Sequence, residues 1–366
     1  MVDSGKLDLV AASLRHYREM HALSQGDAAA IAGVTKNAYA RAEAGKTAPS
    51  GEWVLRLCRH YGIPMSRLFE SLAVPEVAFH ENRHETRRLQ ALQRETIRDA
   101  VRWAEDYRWL EKTLGEEPAG GLPDVRALSP KDAARKIRAT FWAGGGFTPE
   151  SFPSTLAAHG IKVYVRRFPD PETFGFSFSD PRCGWVIAVN GDPIVPAERK
   201  LWLAAHELGH ILLGTAGKRY KKQEQEEDDA NDFASELLMP EAAFAARWED
   251  CAHLPYFERV IAVKRDFHVR ADTVLYRVTK RLGTEERERL MRAFNAEAKW
   301  RGMPNTRENE PRSLYFEFEG DRFKTLALCA CRQRKISVSR LAELYGEPVL
   351  SVMKRLREMP RGDFRA

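Results

Sequence analysis

The segment from Leu203 to Gly214, LAAHELGHILLG, sets two histidines four residues apart, His206 and His210, with Glu207 beside the first. On an α-helix, residues four apart share a face, one turn above the other. Two imidazoles so placed can hold a Zn²⁺, and a neighbouring carboxylate can take a proton from a water that the metal activates. The flanks suit a buried helix: Leu203, Ala204, Leu208, Ile211, Leu212 and Leu213 are apolar, and Pro196 can open the helix. Gly209 is expected to keep space open beside a metal. A second copy of the pattern, HENRH at 80–84, has polar flanks, and Arg83, Arg87 and Arg88 there would oppose a dication. It reads as a solvated helix face rather than a site.

A catalytic zinc takes three protein ligands and leaves one position for water. The third is sought in the segment 224–240, EQEEDDANDFASELLMP. Its apolar stripe is Ala230, Phe233, Ala234, Leu237 and Leu238, at helical spacing. Glu226 and Glu227 border that stripe, one on each side, while Asp228 points away and Asp229 lies near a right angle to it. Helical geometry alone does not choose between the two glutamates. The bland alternatives are a buried helix whose histidines are only hydrogen-bonded, and a zinc site that hydrolyses nothing.

The start of the chain carries a different chemistry. In LSQGDAAAIAGVTKNAYARAEAGKTAPS, residues 23–50, Ser24 is an expected N-cap for a helix through Ala32, and Gly33 an expected tight turn. Thr35 is expected to cap a second helix. Ala28, Ile31, Val34, Ala38 and Ala42 are expected to face inward, small enough for two helices to cross closely. Lys36, Asn37, Tyr39 and Arg41 are expected to face outward and reach DNA bases or phosphates.

Two resemblances sharpen these readings. Ser24-Gln25, Gly33-Val34-Thr35, Glu43-x-Gly45-Lys46, Pro49 and Leu68-Phe69 resemble the XRE family of helix-turn-helix domains over residues 9–70. That resemblance implies Gln25 and Lys46 at the DNA backbone and Lys36, Asn37 and Arg41 at bases. Ala29 departs from the family's usual leucine, which predicts a slightly underfilled core. HELGH at 206–210, followed by an acidic run and ANDFASELLMP at 230–240, resembles the ImmA/IrrE family of zinc metallopeptidases over roughly 125–250. That family's third ligand lies four residues before the asparagine. The resemblance therefore implies Glu227 as ligand, with Asn231 supporting it and Glu207 as catalytic base. Tyr220 could reach a developing oxyanion, a role left open.

These sites need elements to hold them. The expected fold is α+β and mostly helical. Residues 1–75 form the helix-turn-helix domain, and 76–124 a connector helix closed by the loop GEEPAGGLPD. Residues 125–250 form a zincin-like α+β domain with a small sheet, and 251–366 a helical region. Ser129 and Pro130 open a helix that the glycines at 144–146 stop, and IKVYVRRF and GWVIAVN read as strands. LYFEFEGD is a further strand-like run. Trp103, Tyr107 and Trp109 are expected to pack the connector helix. No internal repeat at a fixed period is evident. Residues 257–283 and 336–359 each have a two-helix outline: the first completes the peptidase fold, the second forms a small helical cap or a second DNA reader.

The chain has 366 residues, with a net charge of +6 that permits an anionic partner. Five scattered cysteines argue against a disulfide framework. The absence of a long apolar run fits a cytoplasmic protein without membrane contact. The functional expectation is a homodimeric regulator that binds a double-stranded DNA operator. It would carry a Zn²⁺-dependent endopeptidase that cleaves a protein, such as an XRE-type repressor, in a stress or mobile-element response. The alternative is a non-proteolytic or antitoxin-like regulator whose peptidase-like domain binds zinc for structure or sensing.

Overall fold

A computed structural model describes residues 4–77, 86–118, 120–143, 146–170, 173–215, 223–280, 282–303, 318 and 322–358. The HENRH pattern, Tyr220 and all of the LYFEFEGD run except Phe318 lie outside the described residues. The chain divides into two compact units, one of residues 1–75, 80–102 and 168–173, the other of 76–79, 103–167 and 174–366. The division between 102 and 103 falls inside one helix, α5 (Arg87–Leu114). The loop 115–124 belongs wholly to the second unit.

The first unit holds α1 (Ser4–Met20), α2 (Gln25–Ala32), α3 (Lys36–Glu43), α4 (Gly51–Tyr61), a 3₁₀ turn at Met65–Phe69 and the first part of α5. Local chemistry sets its central turn. The Ser24 side chain accepts from the Asp27 amide, and the Asp27 carboxylate accepts in return from the Ser24 amide. This reciprocal cap satisfies two donors that a helix start leaves open. Gly33 ends α2 at φ 72°, a left-handed conformation that costs glycine nothing, and the Thr35 hydroxyl accepts from the Ala38 amide to start α3. Leu14, Tyr17, Ala28, Ala29, Tyr39, Leu57 and Leu68 form the buried core of this unit.

The second unit continues from α5 into α6 (Pro130–Phe141), α7 (Phe152–Ala158), β1 (Ile161–Arg166), β2 (Gly175–Asp180), β3 (Gly184–Asn190), α8 (Ala197–Leu213) and α9 (Gln223–Leu238). There follow α10 (Glu241–Asp250), α11 (Tyr256–Phe267), α12 (Ala271–Thr279), α13 (Thr284–Trp300), α14 (Arg322–Arg332), α15 (Val338–Tyr345) and α16 (Val349–Glu358). The expected cap at Ser129 with Pro130 opening α6 is present. The sheet has the order β1-β3-β2, with β1 parallel and β2 antiparallel to β3. Sequence reasoning found β1 and β3 and missed β2. Ile161, Val163, Ile187 and Val189 of the sheet join Leu201, Ala204 and Leu208 of α8 and Phe233 and Leu237 of α9 in one core. A separate cluster packs Tyr107 and Leu110 of α5 with Phe323, Leu326, Leu341 and Val352. Trp103 packs edge-to-face against Tyr107, as expected, whereas Trp109 is 45% exposed and takes no part in that core. No helix among the described residues is long and apolar enough to cross a membrane.

A buried charge network holds the first part of α5, residues 87–102, within the first unit. Glu95 on α5 accepts from Tyr17 Oη (3.1 Å) and Arg98 (2.8 Å), and lies 3.0 Å from both His16 Nε2 and Arg67. Arg67 also bonds Asp99, and Arg102 bonds Glu70. Burial alone would push the Glu95 carboxyl up, but His16, Arg67 and Arg98 more than offset it and hold it at about 2. Burial pushes Asp99 the other way and opposes part of the gain. A carboxyl depressed in the folded state stabilises above its unfolded value, and that stability fades as pH falls from about 4.5 toward about 2. The shift corresponds to something on the order of 3 kcal/mol. Urea titrations of the full chain by circular dichroism should therefore show one transition weakening between pH 5 and pH 3. Glu95→Gln should weaken it already at pH 6 and flatten its pH dependence; an undiminished pH dependence in that variant would assign the effect to other groups.

Candidate metal centre and DNA-facing helix

Helix α8 is apolar along most of its length, so it sits in the core and takes its histidines with it. His206 is 7% exposed, and His210 and Glu207 are each 1% exposed. The helix ends at Gly214, φ 79°, and the chain turns back so that Thr215 lies under His210. Each imidazole is then oriented by a side-chain oxygen. His206 Nδ1 lies 3.1 Å from Asn231 Oδ1, and His210 Nδ1 lies 2.8 Å from Thr215 Oγ1. The Thr215 hydroxyl donates to the His210 carbonyl, so it accepts at the ring. With both Nδ1 atoms donating, the two Nε2 atoms carry lone pairs.

Those lone pairs meet at one point. The two Nε2 atoms are 3.0 Å apart, and Glu227 lies 3.4 Å from His206 Nε2 and 3.6 Å from His210 Nε2. Among the described residues this is the one His/Cys/Asp/Glu group compact enough to hold a metal ion, and it contains Glu227 and not Glu226. A tetrahedral zinc with ligands at about 2.0–2.1 Å spaces its ligand atoms roughly 3.3 Å apart. The observed separations bracket that value. Two imidazole nitrogens and a carboxylate that converge in this way form a donor set that suits a borderline-soft dication.

Glu227 can reach the histidines because α9 runs close to α8. A Cβ on Gly209 would stand 3.2 Å from the Phe233 ring and 3.3 Å from the Ala230 Cα. Gly209, expected to keep a space open beside a metal, thus lets the next helix approach. Other contacts pin α9. Glu236, 2% exposed, accepts from Arg135 (3.0 Å), from Arg277 (2.9 Å) and from the Glu241 amide (3.1 Å). Arg138 donates to the Leu237 carbonyl.

Glu207 is not part of the three-residue cluster. Its carboxylate accepts a 2.6 Å hydrogen bond from Ser177 Oγ on β2. Ser177 was absent from the sequence-based site because its strand was absent. The alternation in Phe176-Ser177-Phe178-Ser179, two fully buried aromatics between serines, is the signal that could have revealed it. A cavity of about 370 Å³ opens beside Asn231, lined also by Trp202, Leu203, Arg270, Thr273 and Tyr276.

In the first unit, Lys36, Asn37, Arg41 and Lys46 are exposed, as an interface with DNA requires. Gln25 donates to Glu43 (3.4 Å), which two 2.8 Å bonds from Arg18 anchor. Tyr39 corrects the expectation. It is fully buried, and its hydroxyl donates to the Leu14 carbonyl at 3.4 Å, so it reaches no DNA. Ala38, expected inside, is exposed. The inward face of α3 is Tyr39, Ala42 and Glu43, so Ala42 is inside as expected while Tyr39 takes the place assumed for Ala38. Ala29 is 2% exposed, within the same core cluster as Tyr39.

Comparison with known proteins follows the same division. Residues 156–279 match the family model of the IrrE N-terminal-like domain, a peptidase family, and residues 9–68 match a helix-turn-helix domain model. No curated protein shows a significant match to the chain. The polypeptide thus joins a helix-turn-helix domain to an IrrE-like peptidase domain.

Proposed function

We propose that the chain is a DNA-binding transcriptional regulator whose IrrE-like domain is a zinc-dependent endopeptidase. The observation that carries this reading is the convergence of His206, His210 and Glu227, with Glu207 held apart from them by Ser177. A domain that bound zinc only for structure would have no use for a separately held carboxylate. Zinc bound by those three residues would supply Lewis acidity, acidifying a water and polarising a peptide carbonyl. Glu207 would accept the proton of the attacking water and return it to the leaving amine nitrogen. Ser177 and Asn231 fix the carboxylate and the His206 ring before substrate arrives. The substrate would be a protein, with a DNA-bound repressor of the XRE type the favoured class. The helix-turn-helix domain would recognise a two-fold operator as a homodimer and bring the peptidase to it.

Three outcomes test this reading. The purified chain should hold about one zinc, read by elemental analysis, and His206→Ala and Glu227→Ala should each lose it. His80→Ala should keep it; loss in Glu226→Ala but not Glu227→Ala would move the third ligand by one residue. Glu207→Gln should retain zinc and DNA binding yet cut proteolysis of a repressor substrate by roughly two to four orders of magnitude. If that variant matches the wild type in every transcriptional output while His206→Ala does not, the domain senses or structures zinc and does not cleave. In electrophoretic shifts with the full chain, Asn37→Ala and Arg41→Ala should relax sequence preference, whereas Lys46→Ala should weaken all duplexes alike. Equal wild-type affinity for promoter and random DNA would count against a sequence-reading head.

A further inference from the structure

The last three helices reproduce the first three at a constant displacement of 313 positions, from Ser24 to Ser337. Helices α2 and α15 each have eight residues, and each is capped by a serine that accepts from the amide three residues on. Each ends in a left-handed glycine, Gly33 at φ 72° and Gly346 at φ 66°. The glycine amides bond to the Ala29 and Ala30 carbonyls in one case and to the Ala342 and Glu343 carbonyls in the other. The next helix starts three residues after each glycine, at Lys36 and at Val349.

Burial follows the same displacement. Val10, Leu14 and Tyr17 of α1 correspond to Phe323, Ala327 and Ala330 of α14, and all six are buried. Ala28 and Ala29 correspond to Leu341 and Ala342, and Tyr39 to Val352, again all buried. Few of the paired residues are the same type, so no sequence repeat announces the correspondence.

The surface carried by the second copy differs in a readable way. Lys36, Asn37 and Arg41 correspond to Val349, Leu350 and Lys354, all exposed. Leu350 is 79% exposed, with Val349 at 39% and Met353 at 36% beside it on α16. Residues 322–358 contain nine Lys and Arg against three Asp and Glu, a net +6 that equals the charge of the whole chain. Arg334 before α15, and Lys354 and Arg357 on α16, are exposed, while Lys335 donates to the Thr113 carbonyl of α5. A unit of that charge attracts a polyanion, and apolar side chains among cations match thymine methyl groups lined by phosphates.

We propose that α14–α16 form a second helix-turn-helix that binds duplex DNA, with α16 in the major groove. Val349, Leu350 and Met353 meet thymine methyl groups there, and Lys354, Arg357 and Arg334 hold phosphates. This assignment is independent of the peptidase reading and of the first reader.

The test uses the full chain with the first reader silenced by Lys36→Glu and Arg41→Glu, and 30-base-pair duplexes, one A·T-rich and one G·C-rich, in fluorescence anisotropy. The silenced chain should still bind. Adding Lys354→Glu and Arg357→Glu should weaken binding at least about tenfold and lower the salt slope by about two. Reversing Arg287 and Arg289 on α13 instead should leave affinity unchanged. Leu350→Ser should reduce the preference for the A·T-rich duplex and keep the salt slope. No binding by the silenced chain, or equal loss from the α13 reversals, overturns the proposal. If Leu350→Ser abolishes self-association and leaves DNA binding untouched, α16 is a protein-docking face and the proposal also fails.

Discussion

The candidate metal centre depends on how near α9 can come to α8, and that distance is set by a missing side chain. With a Cβ at Gly209, contacts of 3.2–3.3 Å to Phe233 and Ala230 would press on backbone as well as on a ring. A packed core gives little under such pressure. The histidines could keep their places on α8, but the carboxylate of Glu227 belongs to the other helix and would move with it. The arginines on Glu236 and on the Leu237 carbonyl hold α9 by different means. The site is therefore assembled from two helices held by close approach and by charge, with each imidazole separately steered by Asn231 or Thr215.

Much of this was legible in the residues, and the reasons differ from place to place. The limits of α2 and α3 followed from Ser24, Gly33 and Thr35, because capping and positive φ are decided by a few adjacent residues. His206 and His210 were legible because a fixed spacing on one helix is a local fact. The choice between Glu226 and Glu227 was not, because it depends on how α9 is rotated against α8. The phase of α3 was misjudged for a related reason. Alanines fit either face of a helix, so they could not announce which side was inward, and a tyrosine with one polar atom passed for a surface residue. Its hydroxyl found the Leu14 carbonyl instead. Strand β2 is six residues long and half serine and glycine by character, weak in propensity and held by its pairing with β3. Ser177 could not be assigned without it.

The correspondence of the first and last helix triplets shows which features specify the turn and which specify its use. A serine cap, a left-handed glycine and buried positions at matching places are common to both. Bulk is redistributed inside: Tyr39 answers to Val352, and Ala28 to Leu341. What differs most is the outer face of the following helix, polar in α3 and apolar with flanking cations in α16. Interior volume and exterior chemistry have thus varied separately on one backbone plan.

The bond between His16 and Glu95 joins residues 79 positions apart. During synthesis α1 to α4 leave the ribosome before Glu95 exists. Until then Arg67 has Glu70, 3.3 Å away, as its nearby carboxylate, but His16 and Tyr17 lack the one that they enclose in the finished unit, and a buried polar group without its partner is costly. The helices of the head can form early, since their caps are local, but their final closure waits for the start of α5. The order of events along the chain is written into that one long-range contact: the DNA-facing turn is shaped first, and the unit that carries it is locked afterwards.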